Sequence, residues 1–382
     1  MKKILILFLS ILIMASLNAF VVGADVSSLP SLERSGVVFH DKDGSEVDLI
    51  ELLAENGVQS IRVRIWVDPY DQNGNGYGGG NCELDNAIEL GRRAKEQNIG
   101  LFVDFHYSDF WADPSRQTLP KAWKGQTKEE LTQTIYNYTY DSLKQLKDNG
   151  IIINYVQIGN EINNGICGQS GLESSCELLE SASKAVKEAV PEAKVVVHFT
   201  DPGSFDFCWA AKVLEKGCVD YDVFATSYYP YWHGSLEALK ANLKKITENY
   251  GKKVMIAETS YPYTDRDTDG HPESVTVKNT SVQRQMDMFL GISKAMETFG
   301  DSYEGIFYWE PAWICVPAED QNSRKAVWEK LGSGWATSYA AEYDGQAARY
   351  HGGSATDSQA LFDEEGCALE SISMFSLVHS WM

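Results

Sequence analysis

The stretch VQIGNEINNG (residues 156–165) runs an apolar segment straight into Gly159, Asn160 and Glu161. An apolar run bounded by glycine reads as a strand. A carboxylate at its end needs a use, because an unpaired charge is costly beside buried apolar surface. Neighbouring residues on a regular strand point to opposite faces, so Asn160 and Glu161 can serve one pocket only if the strand end bends or bulges. Gly159 permits such a bend.

Seven similar runs surround this one: FVVGAD (20–25), SIRVRIWVD (60–68), IGLFVDFHY (99–107), KVVVHFT (194–200), YDVFATSYY (221–229), KVMIAETSY (253–261) and GIFYWEP (305–311); the run at 153–161 is fourth in order. Amphipathic segments lie between them, at 84–98, 127–150, 178–190, 235–251 and 281–300, several ending at glycine as helices do. The segment 369–382 supplies a last helix. Strands this apolar are buried on both faces, as parallel strands are. Eight strand–helix units in 382 residues give the arithmetic of a (β/α)8 TIM barrel, class α/β, with long loops after the strands. A doubly wound open sheet is the alternative. No linker or repeat divides the chain, so residues 20–382 read as one domain.

Residues 1–19, MKKILILFLSILIMASLNA, join two lysines to an apolar stretch and a small-residue end, the pattern of a secretory signal. The apolar run is shorter than the ~20 residues that span a bilayer, which disfavours a signal-anchor. A secreted protein is expected, released or held at the cell surface. The formal net charge of −21 argues against a polyanionic ligand such as nucleic acid and favours a neutral one. With seven cysteines in an exported chain, Cys167 and Cys176 are the first candidates for a disulfide. Cys208 and Cys218 are poorer partners if the segment between them is helical, since ten residues then place them about 15 Å apart.

In such a barrel the working surface is the C-terminal end of the strands. Odd polar residues collect there: Arg62 and Arg64, His106, Asn160 and Glu161, Tyr228 and Tyr229 with Trp232, Glu258, and Trp309 with Trp313. The opposite ends carry nothing comparable. Two carboxylates on non-adjacent strands suit glycosidic cleavage, one protonating the leaving oxygen and the other meeting the sugar carbon. Glu161 and Glu258 fill those places, although either alone would pass for a solvated strand-end residue. Arg64, nearer the mouth than Arg62, is the candidate to hold Glu258. The aromatics, Tyr107 and Trp111 among them, offer flat faces to sugar rings, and about half are expected to be packing.

These residues resemble glycoside hydrolase family 53 of clan A, the arabinogalactan endo-β-1,4-galactanases. The resemblance rests on GADVSSL (23–29), RVRIWVDP (62–69), VDFHYSDFWADPSRQTLPKAW (103–123), VQIGNEINNG, ETSYPY (258–263) and ALFDEEG (360–366). It implies a retaining enzyme acting on plant cell-wall β-1,4-galactan, with Glu161 as acid/base, Glu258 as nucleophile and Asn160 on the sugar 2-hydroxyl. Retention requires carboxyl groups about 5–5.5 Å apart. The resemblance also implies a structural Ca2+ ion between the loops after the last two strands. Asp267, Asp269, His271 and Glu273 look like one half of that site and Ser354 and Asp357 like the other, although Glu273 departs from the pattern. A complete EF-hand is excluded, because the twelfth position from Asp265 is Thr276. No organic cofactor, no nucleic-acid partner and a monomer are expected. The remaining alternatives are a clan A enzyme on mannan, xylan or cellulose, and a sugar-binding barrel without catalysis.

Overall fold

The computed structural model describes residues 20–271, 277–347, 353 and 358–381. The leader at 1–19 and the positions Glu273, Ser354 and Asp357 lie outside them. Eight parallel strands close in sequence order: β1 (Val21–Asp25), β2 (Ser60–Ile65), β3 (Gly100–Phe105), β4 (Ile153–Ile158), β5 (Lys194–Phe199), β6 (Val223–Ser227), β7 (Lys253–Thr259) and β8 (Tyr303–Trp309). β1 pairs with β8, so the sheet is a barrel and not the open alternative. Helices such as 84–96, 128–148, 172–189, 236–250 and 282–296 fill the crossovers. Among the described residues, no helix is long and apolar enough to cross a membrane.

The alternation of side chains sorts the barrel interior into layers. Phe102, Tyr155, Val196, Ala225, Met255 and Phe307 form a small apolar core inside the barrel. Two residues further along several of these strands stand Asp104, Gln157, His198, Ser227 and Trp309, so the same face turns polar at the mouth. Gly23 has no side chain for a concrete reason: a Cβ there would run into the Phe307 ring and the Ser60 carbonyl.

Several strands end earlier than the sequence suggests. β2 stops at Ile65 and β4 at Ile158, because the residues beyond them leave the ladder to build the site. None of the seven cysteines is bonded, so the expected Cys167–Cys176 bridge is not made. Cys176 lies on the helix 172–189 with its thiol on the Leu172 carbonyl, and Cys167 sits in the preceding loop with φ +51°. Cys208 does lie in a helix, 207–216.

The N-terminal ends are not featureless either. Glu304 is nearly buried there, accepting from Tyr155 Oη (2.9 Å) and pairing with Lys194 and with Lys253 (3.0 Å). It was missed because β8 starts at Tyr303, two residues before the apolar run that marks the strand. Burial works to raise its pKa, but the two lysines prevail and hold the carboxyl below its ordinary value of 4.5. A depressed folded pKa contributes stability that is full above the unfolded value and is lost as pH falls through the folded one. Glu304→Gln should therefore lower stability at neutral pH by about 1 kcal/mol, discounted because the lysines are part-exposed. Urea unfolding should show the gap between variant and parent narrowing as pH drops below 4.5.

Candidate active site

Two local distortions bring the glutamates to the mouth. On β7 the register to β6 slips between Thr226 and Ser227, so that Ile256 and Glu258 oppose consecutive residues of β6. This bulge turns Glu258 inward after Met255 and Ala257 have already used the inner face. On β4 the chain leaves the ladder at Gly159 (φ +109°) and Glu161 adopts a left-handed conformation (φ +46°, ψ +55°). A Cβ at position 159 would meet Ile162 and Ile166, so glycine is required both for space and for backbone. The bend lets Asn160 and Glu161 share one cavity, as the sequence required of Gly159.

Arg62, fully buried, is the hub. Nη1 contacts Asp25 Oδ2 and Glu258 Oε1, each at 2.8 Å. Nη2 donates to Asp104 Oδ2 (2.8 Å), Gln157 Oε1 (3.1 Å) and Asn160 Oδ1 (3.1 Å). Burial disfavours its charge, but Asp104, Glu258 and Asp25 outweigh that and raise its pKa above the ordinary value. Arg64 was the expected partner of Glu258, and the structure corrects this. Arg64 binds Glu310 Oε1 (2.6 Å) and Asp25 Oδ1 (3.2 Å) and lies under Trp111, 4.5 Å from its ring centre. The two arginines share the inner face, but Arg64 is nearer the mouth and is claimed by the end of β8. Arg62, one alternation deeper, sits below Glu258 and reaches up to it.

The second oxygen of Glu258 accepts from Tyr229 Oη at 3.0 Å. Burial and then Glu258 push the Tyr229 pKa well up, which keeps the phenol a donor. Glu161 Oε1 lies 2.7 Å from Ser227 Oγ. Burial first and the Glu258 charge second raise its pKa to about 8. The two carboxyl groups thus differ in kind: one is fastened to a guanidinium, the other is poised to carry a proton. Glu310 is a third carboxyl, raised to about 7 mainly by burial against the pull of Arg64, but it is fully enclosed and also held by Ser28 Oγ at 2.5 Å.

Both glutamates line one cavity of about 550 Å³. Arg64, His106, Asn160, Tyr229, Trp232 and Trp309 line it too, as expected. Trp232 is 43% exposed at its rim. His106 is held by Asp104 (3.1 Å) and by the Ala112 amide (3.1 Å). Asn160 donates one amide hydrogen to the Ala112 carbonyl (2.8 Å), leaving the other for a ligand.

Tyr228 and Trp313 do not belong to the cleft. Tyr228 follows Ser227 on the outward face and binds the Gly234 carbonyl (3.1 Å). Trp313 is buried behind Trp335, stacked on it at 6.0 Å, with its indole on the Ser333 carbonyl. Tyr107 is core, with its hydroxyl on Thr139. Of the expected metal ligands, Asp269 and His271 come together beside Gly353, where an added Cβ would touch both. Asp267 caps the Gly270 amide in the same loop at 2.6 Å.

The family model for glycosyl hydrolase family 53 matches residues 21–375. The chain belongs to glycosyl hydrolase family 53. It is 46% identical to an endo-β-1,4-galactanase of Bacillus subtilis (strain 168), over 94% of this chain and 86% of that protein. An arabinogalactan endo-β-1,4-galactanase of Humicola insolens is 36% identical, over 76% and 89% of the two chains. Among solved structures, the Ignisphaera aggregans GH53 catalytic domain superposes with a TM-score of 0.83 at 36% identity, covering 94% of this chain and 96% of that one.

This family 53 chain also uses residues that sequence reading passed over: His198, Ser227, Thr200, Tyr231, His233, Trp335 and Gln359. His198 and Ser227 carry a faint signal, as lone polar residues on the inward parity of apolar strands. Trp335 and Gln359 come from the long segment after β8 and carry none. Tyr229→Phe keeps the ring in the cleft but removes a donor from Glu258. It should lower kcat about tenfold, with the fold unchanged by circular dichroism.

Proposed function

We propose that the chain is an exported, monomeric endo-β-1,4-galactanase that works by retention. The observation that carries the reading is the opposed environment of two glutamates in one cleft: Glu258 tied to Arg62 and Tyr229, and Glu161 half-buried with its pKa raised to about 8. Glu258 attacks the anomeric carbon while Glu161 gives its proton to the departing glycosidic oxygen. The glycosyl–enzyme ester then forms, and Glu161, now a carboxylate, takes a proton from the water that cleaves it. The free amide hydrogen of Asn160 is available to the sugar 2-hydroxyl, and Trp309 and Trp232 offer ring faces to the polymer, whereas the Trp111 ring is covered by Arg64 and Trp335. Galactan as substrate is supported by the names of the two relatives, which share most of the chain. Export rests on the leader at 1–19, and the family match beginning at residue 21 supports its removal.

Glu161→Ala and Glu258→Ala should each reduce hydrolysis of linear galactan by about three or more orders of magnitude. Azide should restore Glu161→Ala on a substrate with an activated leaving group, giving a β-galactosyl azide. NMR of the parent reaction should show the β-anomer released first; an α-anomer would establish inversion instead.

A structural Ca2+ ion is a second part of the proposal. Among the described residues, no group of three or more His, Cys, Asp and Glu side chains forms a metal site. The donors present nonetheless fit half of one: Asp269 is buried, and the imidazole Nδ1 of His271 is buried with no hydrogen-bond partner among the described residues. Asp267, Asp269 and His271 would hold the ion with Glu273, Ser354 and Asp357, tying together the loops after β7 and β8. A chelator should then lower the melting temperature by several degrees, and added calcium should restore it.

A further inference from the structure

Three side chains stand in series behind Glu161. His198 Nδ1 lies 2.9 Å from Asn160 Oδ1, His198 Nε2 lies 3.0 Å from Ser227 Oγ, and Ser227 Oγ lies 2.7 Å from Glu161 Oε1. The direction of this chain follows from counting hydrogens. Arg62 Nη2 approaches Asn160 Oδ1 at 3.1 Å, and a guanidinium only donates, so the atom facing His198 is the carbonyl oxygen. The Asn160 amide nitrogen, on the Ala112 carbonyl at 2.8 Å, agrees.

An acceptor at that place requires a hydrogen on His198 Nδ1. The Glu161 backbone amide also faces this nitrogen, but at 3.4 Å, and the shorter contact decides. The ring is fully enclosed. Burial and then the Arg62 charge hold its pKa well below the ordinary value, so it carries one hydrogen and Nε2 is bare. Among the described residues, the hydrogen that faces Nε2 is the hydroxyl hydrogen of Ser227. Toward an ionised Glu161 the 2.7 Å contact would be a donation from Ser227; with that hydrogen committed to His198, Ser227 Oγ turns lone pairs toward Glu161, and only a protonated carboxyl completes the contact.

We propose that His198 and Ser227 are positioning residues that hold Glu161 in its protonated form, by fixing the direction of the hydrogen-bond chain that ends on it. The proposal deepens, and rests on, the reading of Glu161 as acid/base. Other groups act on Glu161 in the same cleft. Glu258 on β7 and Asp113 in the loop after β3 disfavour its negative charge, while Ser227, whenever its hydrogen points to the carboxyl, and Thr200 after β5 favour it. Around His198, Arg62 and the imidazoles of His106 and His233 oppose a positive ring and Asp104 favours one. No proton travels along the chain during turnover. When Glu161 has given its proton to the leaving oxygen, the Ser227 hydrogen has two claimants, the carboxylate and His198 Nε2. The carboxylate is thus left short of donors and is the stronger base for the water of the second step.

Ser227→Ala tests the sign. If Ser227 accepts from Glu161, its loss removes the partner of the proton, and the alkaline limb of kcat/KM should move down by about one pH unit, tenfold in the acid dissociation constant. A limb that stays, or moves up as it would on losing a donor to the carboxylate, overturns the proposal. A second measurement needs no variant. In 15N-histidine-labelled protein, His198 should keep its hydrogen on Nδ1 and a bare Nε2 from about pH 5 to 8. A hydrogen on Nε2, or a charged ring, overturns it. Because the tautomer is read without turnover, failed azide rescue of Glu161→Ala would strike the catalytic assignment separately.

Discussion

The site is organised around one buried guanidinium. Arg62 has no water to fall back on: Nε is left without a partner among the described residues, and the two terminal nitrogens find their acceptors in the protein. Those acceptors come from β1, β3, the end of β4 and β7. Its fixed fork therefore sets the relative placement of Asp25, Asp104, Asn160 and Glu258, and the barrel mouth is assembled around a cation before any substrate arrives. A buried cation with three carboxylate neighbours is a poor way to gain stability, because desolvation offsets most of the attraction. Its evident use is geometric.

Two levels of order are superposed in the strands. Alternation decides which residues face inward and gives an apolar layer beneath a polar one. Local breaks then rotate particular residues out of parity: the β7 bulge for Glu258 and the Gly159–Glu161 bend for Glu161. The chemistry sits at the breaks. A perfectly regular strand would present either Ala257 or Glu258 to the cleft according to its parity, and here the bulge lets Ala257 pack below while Glu258 works above.

The eight strands, their order and the two glutamates were legible because each leaves a local mark: an apolar run, a glycine, a carboxylate where none belongs. The Asn-Glu bend was legible for the same reason, since two adjacent polar residues cannot both face one pocket without it. What was not legible depends on pairing across the barrel. Choosing Arg62 over Arg64 for Glu258 requires knowing that Glu310 and Asp25 already occupy Arg64. Trp313 and Tyr228 carry the same aromatic signature as Trp309 and Tyr229, and only the packing of the long segment after β8 and the outward parity of Tyr228 remove them from the cleft. Residues 335 and 359 reach the site from that segment, whose path no periodicity encodes.

The plugged lower end has a mechanical corollary. Phe102, Tyr155 and Phe307 close the bore, and Glu304 with its two lysines seals the underside. A polymer cannot thread through such a vessel; it must lie across the rim, and both fragments of a severed strand have to lift away on the side from which the intact one came.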